Sequence, residues 1–436
     1  ISDDNEDRAM KTIKASNMEK LQFLGNRFIA QALKVAAGIL PVRDPKLLVG
    51  TSAIHELAAC IAGYGAQKVL LVTTAGIVRR GQSDELVRAL ELLGITPVIF
   101  DGTTPDPTFQ VVAAGLDLLC QENCNAVVGF GGGSAMDAAK VIAVAGANNR
   151  TPEQLVGYFK GRKKPLPLFM VPTTAGSGSE ATIASVISDD RSHEKFFVFD
   201  SRTIPLAAAL DPRLMENLSP SMTAATGMDA LTHAIEAYIS TISTKTTDRY
   251  AEEAVQLIFE HLPRAYANGS DLEAREAMSI ASYKAGRAFT QASLGYVHAL
   301  SHQMGAHYGT AHGLGNAVIL PQVLERSREA ARPALARLAV LIGLGQATED
   351  DTALAQKFVD SVRTLNRELG IPATIEALRK EDIPNIARKA QKEALLNYPV
   401  PKHMGRAQCE ELLHSLLKED TLTAVDAEPE AFLAAA

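Results

Sequence analysis

Between residues 68 and 210, short apolar runs rich in β-branched side chains alternate with stretches of helical periodicity. That alternation restricts the chain to a parallel sheet covered by crossover helices. Strands are expected over 68–74, 97–100, 126–130 and 168–172, with 196–199 and 206–210 as further candidates in the same series. Helices are expected over 83–93, where Leu86, Val87, Leu90 and Leu93 recur on one face, and over 109–120. After Pro220 the texture changes to long runs of Ala, Leu, Glu and Arg, such as 248–262 and 334–341, with few strand signals. A boundary near 219–221 therefore divides an α/β domain over 46–220 from a helical domain over 221–436.

The first 45 residues form an extension in which Met18, Leu21, Leu24, Phe28, Ile29, Ala32 and Leu33 predict a docked helix over 18–36. Its acidic start, without an initiator methionine, does not resemble a signal peptide. A chain of 436 residues, 47% hydrophobic and 21% charged, has the makings of two or three well-buried domains. A net charge of -7 and the lack of any polybasic stretch argue against nucleic acid and anionic membrane as partners. No apolar run approaches the ~20 residues that span a bilayer. Cys60, Cys120, Cys124 and Cys409 are too few and scattered for a disulfide framework, so a reducing cytoplasm is expected. Cys120 and Cys124 are spaced to share a helix face, and read as core or partly exposed thiols.

Chemistry concentrates in two places. Four of the ten histidines, His298, His302, His307 and His312, fall within fifteen residues, and Asp229 and His233 lie upstream. Asp229 with His233, and His298 with His302, are i,i+4 pairs, so each pair shares one helix face. Imidazole and carboxylate so arranged suit a divalent transition metal. Core histidines that ligate nothing are the competing reading, and two such pairs plus His312 beside a glycine weigh against it. Spacing alone would make His298 and His302 ligands together.

The second place is the run Gly129-Phe130-Gly131-Gly132-Gly133-Ser134-Ala135-Met136-Asp137-Ala138-Ala139-Lys140, which joins an apolar strand to an alanine-rich helix. Glycines there let the backbone approach a pyrophosphate, and free N–H groups at the helix start favour the anion. The run departs from the usual GxGxxG fingerprint. A second polar turn, Thr173-Thr174-Ala175-Gly176-Ser177-Gly178-Ser179-Glu180, follows another apolar strand and could wrap a phosphate, a ribose or a nicotinamide amide.

These two runs, with Gly227-Met228-Asp229-Ala230-Leu231-Thr232-His233-Ala234-Ile235-Glu236 and the segment 298–321, together resemble the iron-containing (group III) alcohol dehydrogenases. The match runs in order from about Leu47 onwards. The resemblance implies an α/β N-terminal Rossmann-like domain plus an all-α C-terminal domain, the architecture also found in dehydroquinate synthases, with metal and cofactor in the cleft between them. By motif position it implies Asp229, His233, His298 and His312 as metal ligands and His302 as a proton-relaying catalytic residue, with His307 on the cleft wall or behind the ligands. It implies Gly131, Gly132, Gly133 and Ser134 on the cofactor pyrophosphate, with Asp137 in the same motif. Thr173, Thr174 and Ser177 would lie along the cofactor and Lys195 would contact a ribose.

The implied cofactors are Fe²⁺, with Zn²⁺ able to occupy the same donors, and NAD. Where such enzymes end a strand in Val-Thr-Asp, this chain has Val72-Thr73-Thr74, and losing that carboxylate at Thr74, with Arg79 and Arg80 nearby, leaves NADP open. The implied activity is interconversion of a small primary alcohol and its aldehyde by metal-assisted hydride transfer, in a homo-oligomer of two or more chains. A hydroxyacid–oxoacid transhydrogenase is the alternative. A dehydroquinate synthase-like lyase would need a cationic pocket that the metal helices do not supply, and a scaffold with a relic site would not need the full ligand set.

Overall fold

The computed structural model describes residues 43–191 and 194–418, so the helix expected over 18–36 lies outside the described residues. The first part runs β1 (Lys46–Val49), α1 (Ala53–Gly63), β2 (Lys68–Val72), α2 (Ala75–Arg79), α3 (Asp84–Leu92), β3 (Thr96–Phe100), α4 (Phe109–Gln121), β4 (Ala126–Gly131), α5 (Gly133–Asn148), β5 (Gly157–Tyr158), β6 (Leu168–Pro172), β7 (Ala184–Ser188), β8 (Lys195–Phe199) and β9 (Ala207–Leu210). The second part is helical: α6 (Pro220–Tyr238), α7 (Lys245–Ala267), α8 (Leu272–Ala292), α9 (Tyr296–Tyr308), α10 (His312–Ser327), α11 (Arg332–Leu341), α12 (Asp351–Glu368), α13 (Ile383–Asn397) and α14 (Arg406–His414).

Six strands form a parallel sheet in the order β1-β9-β6-β4-β2-β3. Strands β4, β6 and β9 are buried along their whole length, which is why they read as unbroken apolar runs rather than alternating ones. Successive residues still face opposite ways. Val69, Leu71, Val128, Phe130, Phe169 and Val171 pack with α1 and α3 on one side, while Leu70, Val72, Val127 and Met170 pack with α4 and α5 on the other. Pro97 is tolerated in β3 because that strand is at the sheet edge.

The apolar run at 196–199 does not join this series. It forms β8 of a separate three-stranded sheet, antiparallel to β7 and parallel to β5. The connection from Ser188 to Lys195 is too short for a crossover helix, so β8 returns antiparallel to β7. The shared helix face that the spacing of Cys120 and Cys124 allows does not form: α4 ends at Gln121 and the chain turns through Asn123 at φ 54°, leaving Cys120 an exposed thiol and Cys124 a buried one beyond the helix.

Helix α6 is the axis of the second part. Ser219 caps it, its side chain accepting from Met222 N, and Pro220 occupies the first turn, where a missing N–H costs nothing. Every residue from Gly227 to Tyr238 is buried, with α7, α8 and α10 packed around it. Among the described residues no helix is long and apolar enough to cross a membrane.

Candidate metal centre and coenzyme crevice

A core helix that is apolar on all sides would be unremarkable, but α6 carries Asp229, His233 and Glu236 into the interior at 6%, 4% and 3% exposure. His298, at 1%, comes from α9 and His312 is the first residue of α10. One ligand atom from each of Asp229, His233, His298 and His312 lies within 4.8 Å of all the others. From Asp229 Oδ1 the distances are 3.8 Å to His233 Nε2, 4.0 Å to His298 Nε2 and 3.6 Å to His312 Nε2. Four donors on a tetrahedron with bonds of about 2.1 Å would stand roughly 3.4 Å apart, so small adjustments suffice to close on one ion.

The surroundings orient these rings. His233 Nδ1 is 3.3 Å from the carbonyl of Gly176, and His298 Nδ1 donates to Glu236 at 2.6 Å. Both contacts fix the proton on Nδ1 and direct the Nε2 lone pair to the centre. Burial holds His233 below its ordinary value and His298 well below it, and brings His312 to about 4, so all three imidazoles are neutral, as ligands must be. Asn316, fully buried on α10, sends Nδ2 to Asp229 Oδ1 at 2.7 Å and to the Nε2 atoms of His298 and His312 at 3.2 Å each, while its Oδ1 has no partner among the described residues. Converging lone pairs, served by a single amide, are what a cation would resolve, so the residues fit a transition metal.

Glu236 does two jobs. Its carboxylate accepts from Gly295 N at 2.9 Å and Val297 N at 2.7 Å, capping the start of α9, and accepts from His298 Nδ1–H as well. Burial pushes its carboxyl up, to about 8, against the pull of those three N–H donors. Replacing Glu236 with glutamine puts an NH₂ against backbone donors and loosens the His298 ring. Metal affinity is expected to fall about 10- to 100-fold, measured by competition with a coloured chelator, and unchanged affinity would deny the carboxylate this role.

His302 stands outside the cluster of four. Its ring stacks on His312 at 5.4 Å and meets His298 edge-on at 5.8 Å, but its Nδ1 points to Glu393 of α13 at 2.7 Å. His307 lies farther along α9, with Nε2 3.3 Å from Asp382 and its ring against Tyr308.

Of the residues expected to meet a coenzyme, Gly131 and Thr173 stand at the carboxyl ends of β4 and β6, whereas Lys195 opens β8. From β2 the chain goes outward to β3 and returns to β4 on the other side of β2, leaving a crevice at that reversal. Gly131, at φ 153°, makes the turn out of β4, and a Cβ there would meet Ala135 Cβ at 2.8 Å. Among the described residues no side chain caps α5, which leaves its first N–H groups available to an anion. The second turn abuts the first: Thr173 N donates to Gly131 O, and a Cβ on Gly133 would lie 3.0 Å from Ser177 Oγ. Thr174 stands 3.4 Å from the equivalent point on Gly132. Thr74 lies two residues past β2 and caps α2, its side chain accepting from Ile77 N.

Two of these side chains are already engaged. Asp137 uses one carboxylate oxygen on Ser179 Oγ and the other on Val186 N, and so braces α5, the second turn and β7. Lys195 pairs with Asp106 at 2.9 Å, close enough to the four-donor cluster for its charge to act on His312. The two sites touch through Gly176, whose carbonyl meets His233 and whose missing side chain leaves room for Thr226 of α6.

The sequence profile described as "Iron-containing alcohol dehydrogenase" matches residues 44–212, and the one described as "Fe-containing alcohol dehydrogenase family, C-terminal" matches 223–417. The chain belongs to the iron-containing alcohol dehydrogenase family. NAD-dependent methanol dehydrogenase of Bacillus methanolicus is 38% identical over 348 residues, 79% of this chain and 91% of that protein. Lactaldehyde reductase of Escherichia coli (strain K12) is 34% identical, over 78% of this chain and 90% of its own length. A solved structure of 1,3-propanediol oxidoreductase superposes with a TM-score of 0.83 at 35% identity, covering 86% of this chain and 98% of that one. This member of the family is therefore an oxidoreductase of alcohols and aldehydes with the two-domain fold of its relatives.

Several residues of its site went unnoticed in the sequence. Glu236 carried a usable signal, three positions after His233 on the same helix face, and so did Asn316, four after His312. Phe289, stacked on His233 at 4.4 Å, and Glu393 carried none.

Proposed function

We propose that this alcohol dehydrogenase exchanges hydride between a small primary alcohol, or its aldehyde, and a nicotinamide dinucleotide, with Fe²⁺ held by Asp229, His233, His298 and His312. The observation that carries the reading is the convergence of four donor atoms, three on buried residues and the fourth on half-buried His312, beside an uncapped helix N-terminus. Bound there, the ion supplies a Lewis acid for the substrate oxygen. Three imidazoles and one carboxylate would accept Zn²⁺ as well.

The protein's own groups do the rest. The first turn of α5, with Gly131, Gly132, Gly133 and Ser134, binds the pyrophosphate through backbone N–H groups. Thr173, Thr174 and Ser177 line the path toward the metal cluster, and Asp137 keeps that path rigid. Lys195, paired with Asp106, would contact a ribose. His302 takes the proton that alcohol oxidation releases, a task suited to imidazole near neutral pH. Phe197, 6.0 Å from the His302 ring, and Phe289 keep water from the reacting carbon.

Anaerobic assay of NADH and NADPH oxidation with a panel of short aldehydes tests this, using protein loaded separately with Fe²⁺ and Zn²⁺. Activity confined to the zinc form would remove iron, and inactivity toward every aldehyde would remove the reading. Hydride exchange between hydroxy- and oxo-acids without added coenzyme would move it to the transhydrogenase.

Thr74 supports a second reading of the coenzyme. No carboxylate at that position opposes a 2′-phosphate, and Arg80 folds back over Gly76 with its guanidinium on Gln82. Thr74→Asp should lower kcat/KM for NADPH at least about tenfold while sparing NADH. Equal effects on both coenzymes would contradict that. The four free cysteines support a reducing, cytoplasmic setting, and we expect a homo-oligomer, which sedimentation would resolve.

A further inference from the structure

His302 has two ring nitrogens, and only one is engaged among the described residues. Its Nδ1 is 2.7 Å from Glu393 Oε1, a contact that reaches across 91 residues of sequence because α13 packs along α9. Glu393 is itself held: Tyr398 Oη donates to Oε1 at 2.8 Å and Gln303 Nε2 donates to Oε2 at 3.0 Å. Both partners are sheltered, with side chains 11% and 15% exposed. A carboxylate can only accept, so it fixes the imidazole proton on Nδ1 and leaves the lone pair on Nε2. The ring cannot turn over without breaking that bond and its stacking on His312.

We propose that Glu393 is a positioning residue for the redox reaction, holding His302 in the Nδ1–H tautomer so that Nε2 is the acceptor for the substrate's proton. The inference rests on the proton-transfer role given to His302 above. In alcohol oxidation the hydride leaves the carbinol carbon for the nicotinamide, and the hydroxyl proton goes to Nε2. The imidazole then carries a proton on each nitrogen, with the positive charge facing the Glu393 carboxylate, and passes the added proton to solvent. Aldehyde reduction runs the same transfer backwards. With the opposite tautomer Nε2 would already bear a proton and could not accept.

The alternative is that Glu393 merely pins α13 to α9. Glu393→Leu, Glu393→Gln and His302→Ala, together with the Leu/Ala double variant, separate the two. Glu393→Leu is expected to lower kcat about 10- to 100-fold with metal content and coenzyme Kd unchanged. Glu393→Gln should fall between it and the parent, since an amide oxygen still accepts from Nδ1 but carries no charge; it also serves if the leucine variant does not fold. In the His302→Ala background the leucine change should have no further effect.

A readout independent of turnover is the ¹⁵N shift of His302 in metal-free, histidine-labelled protein. It should report Nδ1 protonated and Nε2 bare, with that preference lost in Glu393→Leu. Parental turnover in Glu393→Leu, the same fractional loss with and without His302, or a bare Nδ1 would each overturn the proposal. Parental turnover in His302→Ala would instead remove the relay itself, and the role of Glu393 with it.

Discussion

Asp229→Ala is expected to strip the ion from this enzyme and to lower turnover by on the order of 10³-fold, corresponding to about 4 kcal/mol of barrier. Asp229 is the one carboxylate of the set, and its Oδ1 stands 3.6 to 4.0 Å from each of the three Nε2 atoms. It supplies the only negative charge among the four donors, so three neutral imidazoles would be left to hold a dication in a buried site. The helix itself should survive. Alanine favours α6, and removing a carboxylate from among converging lone pairs relieves repulsion. Metal analysis beside kcat checks the outcome: one ion per chain retained by the variant would mean that Asp229 is not a ligand.

Chelation should be nearly as consequential for stability. An ion present at a thousand times its Kd stabilises the folded state by about 4 kcal/mol, which in a domain of this size is roughly 10 °C of melting temperature. The structure gives the reason in residues. Without a cation, Asp229 and the Nε2 atoms of His233, His298 and His312 face one another, with the Asn316 amide as the donor between them and Asn316 Oδ1 unpaired among the described residues. Scanning calorimetry before and after dialysis against a chelator, and again after refilling, measures the shift. A melting temperature indifferent to chelation would mean that the protein satisfies this cluster without an ion.

Which parts of this could be read in advance follows from what local sequence encodes. Strands β2, β4, β6 and β9 were legible because burial on both faces makes them continuous apolar runs. The run at 196–199 was equally apolar, yet nothing in it says which strand it pairs with, and the short connection from β7 decided that. Asp229 and His233 were visible as an i,i+4 pair. His298 and His302 have the same spacing, but the structure brings Nε2 of His298 to the cluster and turns Nδ1 of His302 to Glu393. Helical spacing fixes which side chains share a face, whereas tertiary partners decide what each nitrogen does. Glu393 was out of reach for the same reason, since its distance from His302 depends on how α13 meets α9. The family resemblance put Lys195 among the expected coenzyme contacts, but its partner Asp106 lies 89 residues earlier, on a loop without periodic signal.

The most direct test of a metal-dependent alcohol dehydrogenase here is anaerobic titration of metal-free protein with Fe²⁺, following aldehyde-dependent oxidation of reduced nicotinamide coenzyme as bound iron rises. Activity should climb from near zero and level off at one ion per chain. Turnover already complete in metal-free protein, or none after one iron per chain has bound, would contradict the assignment of Asp229, His233, His298 and His312 as the catalytic metal site.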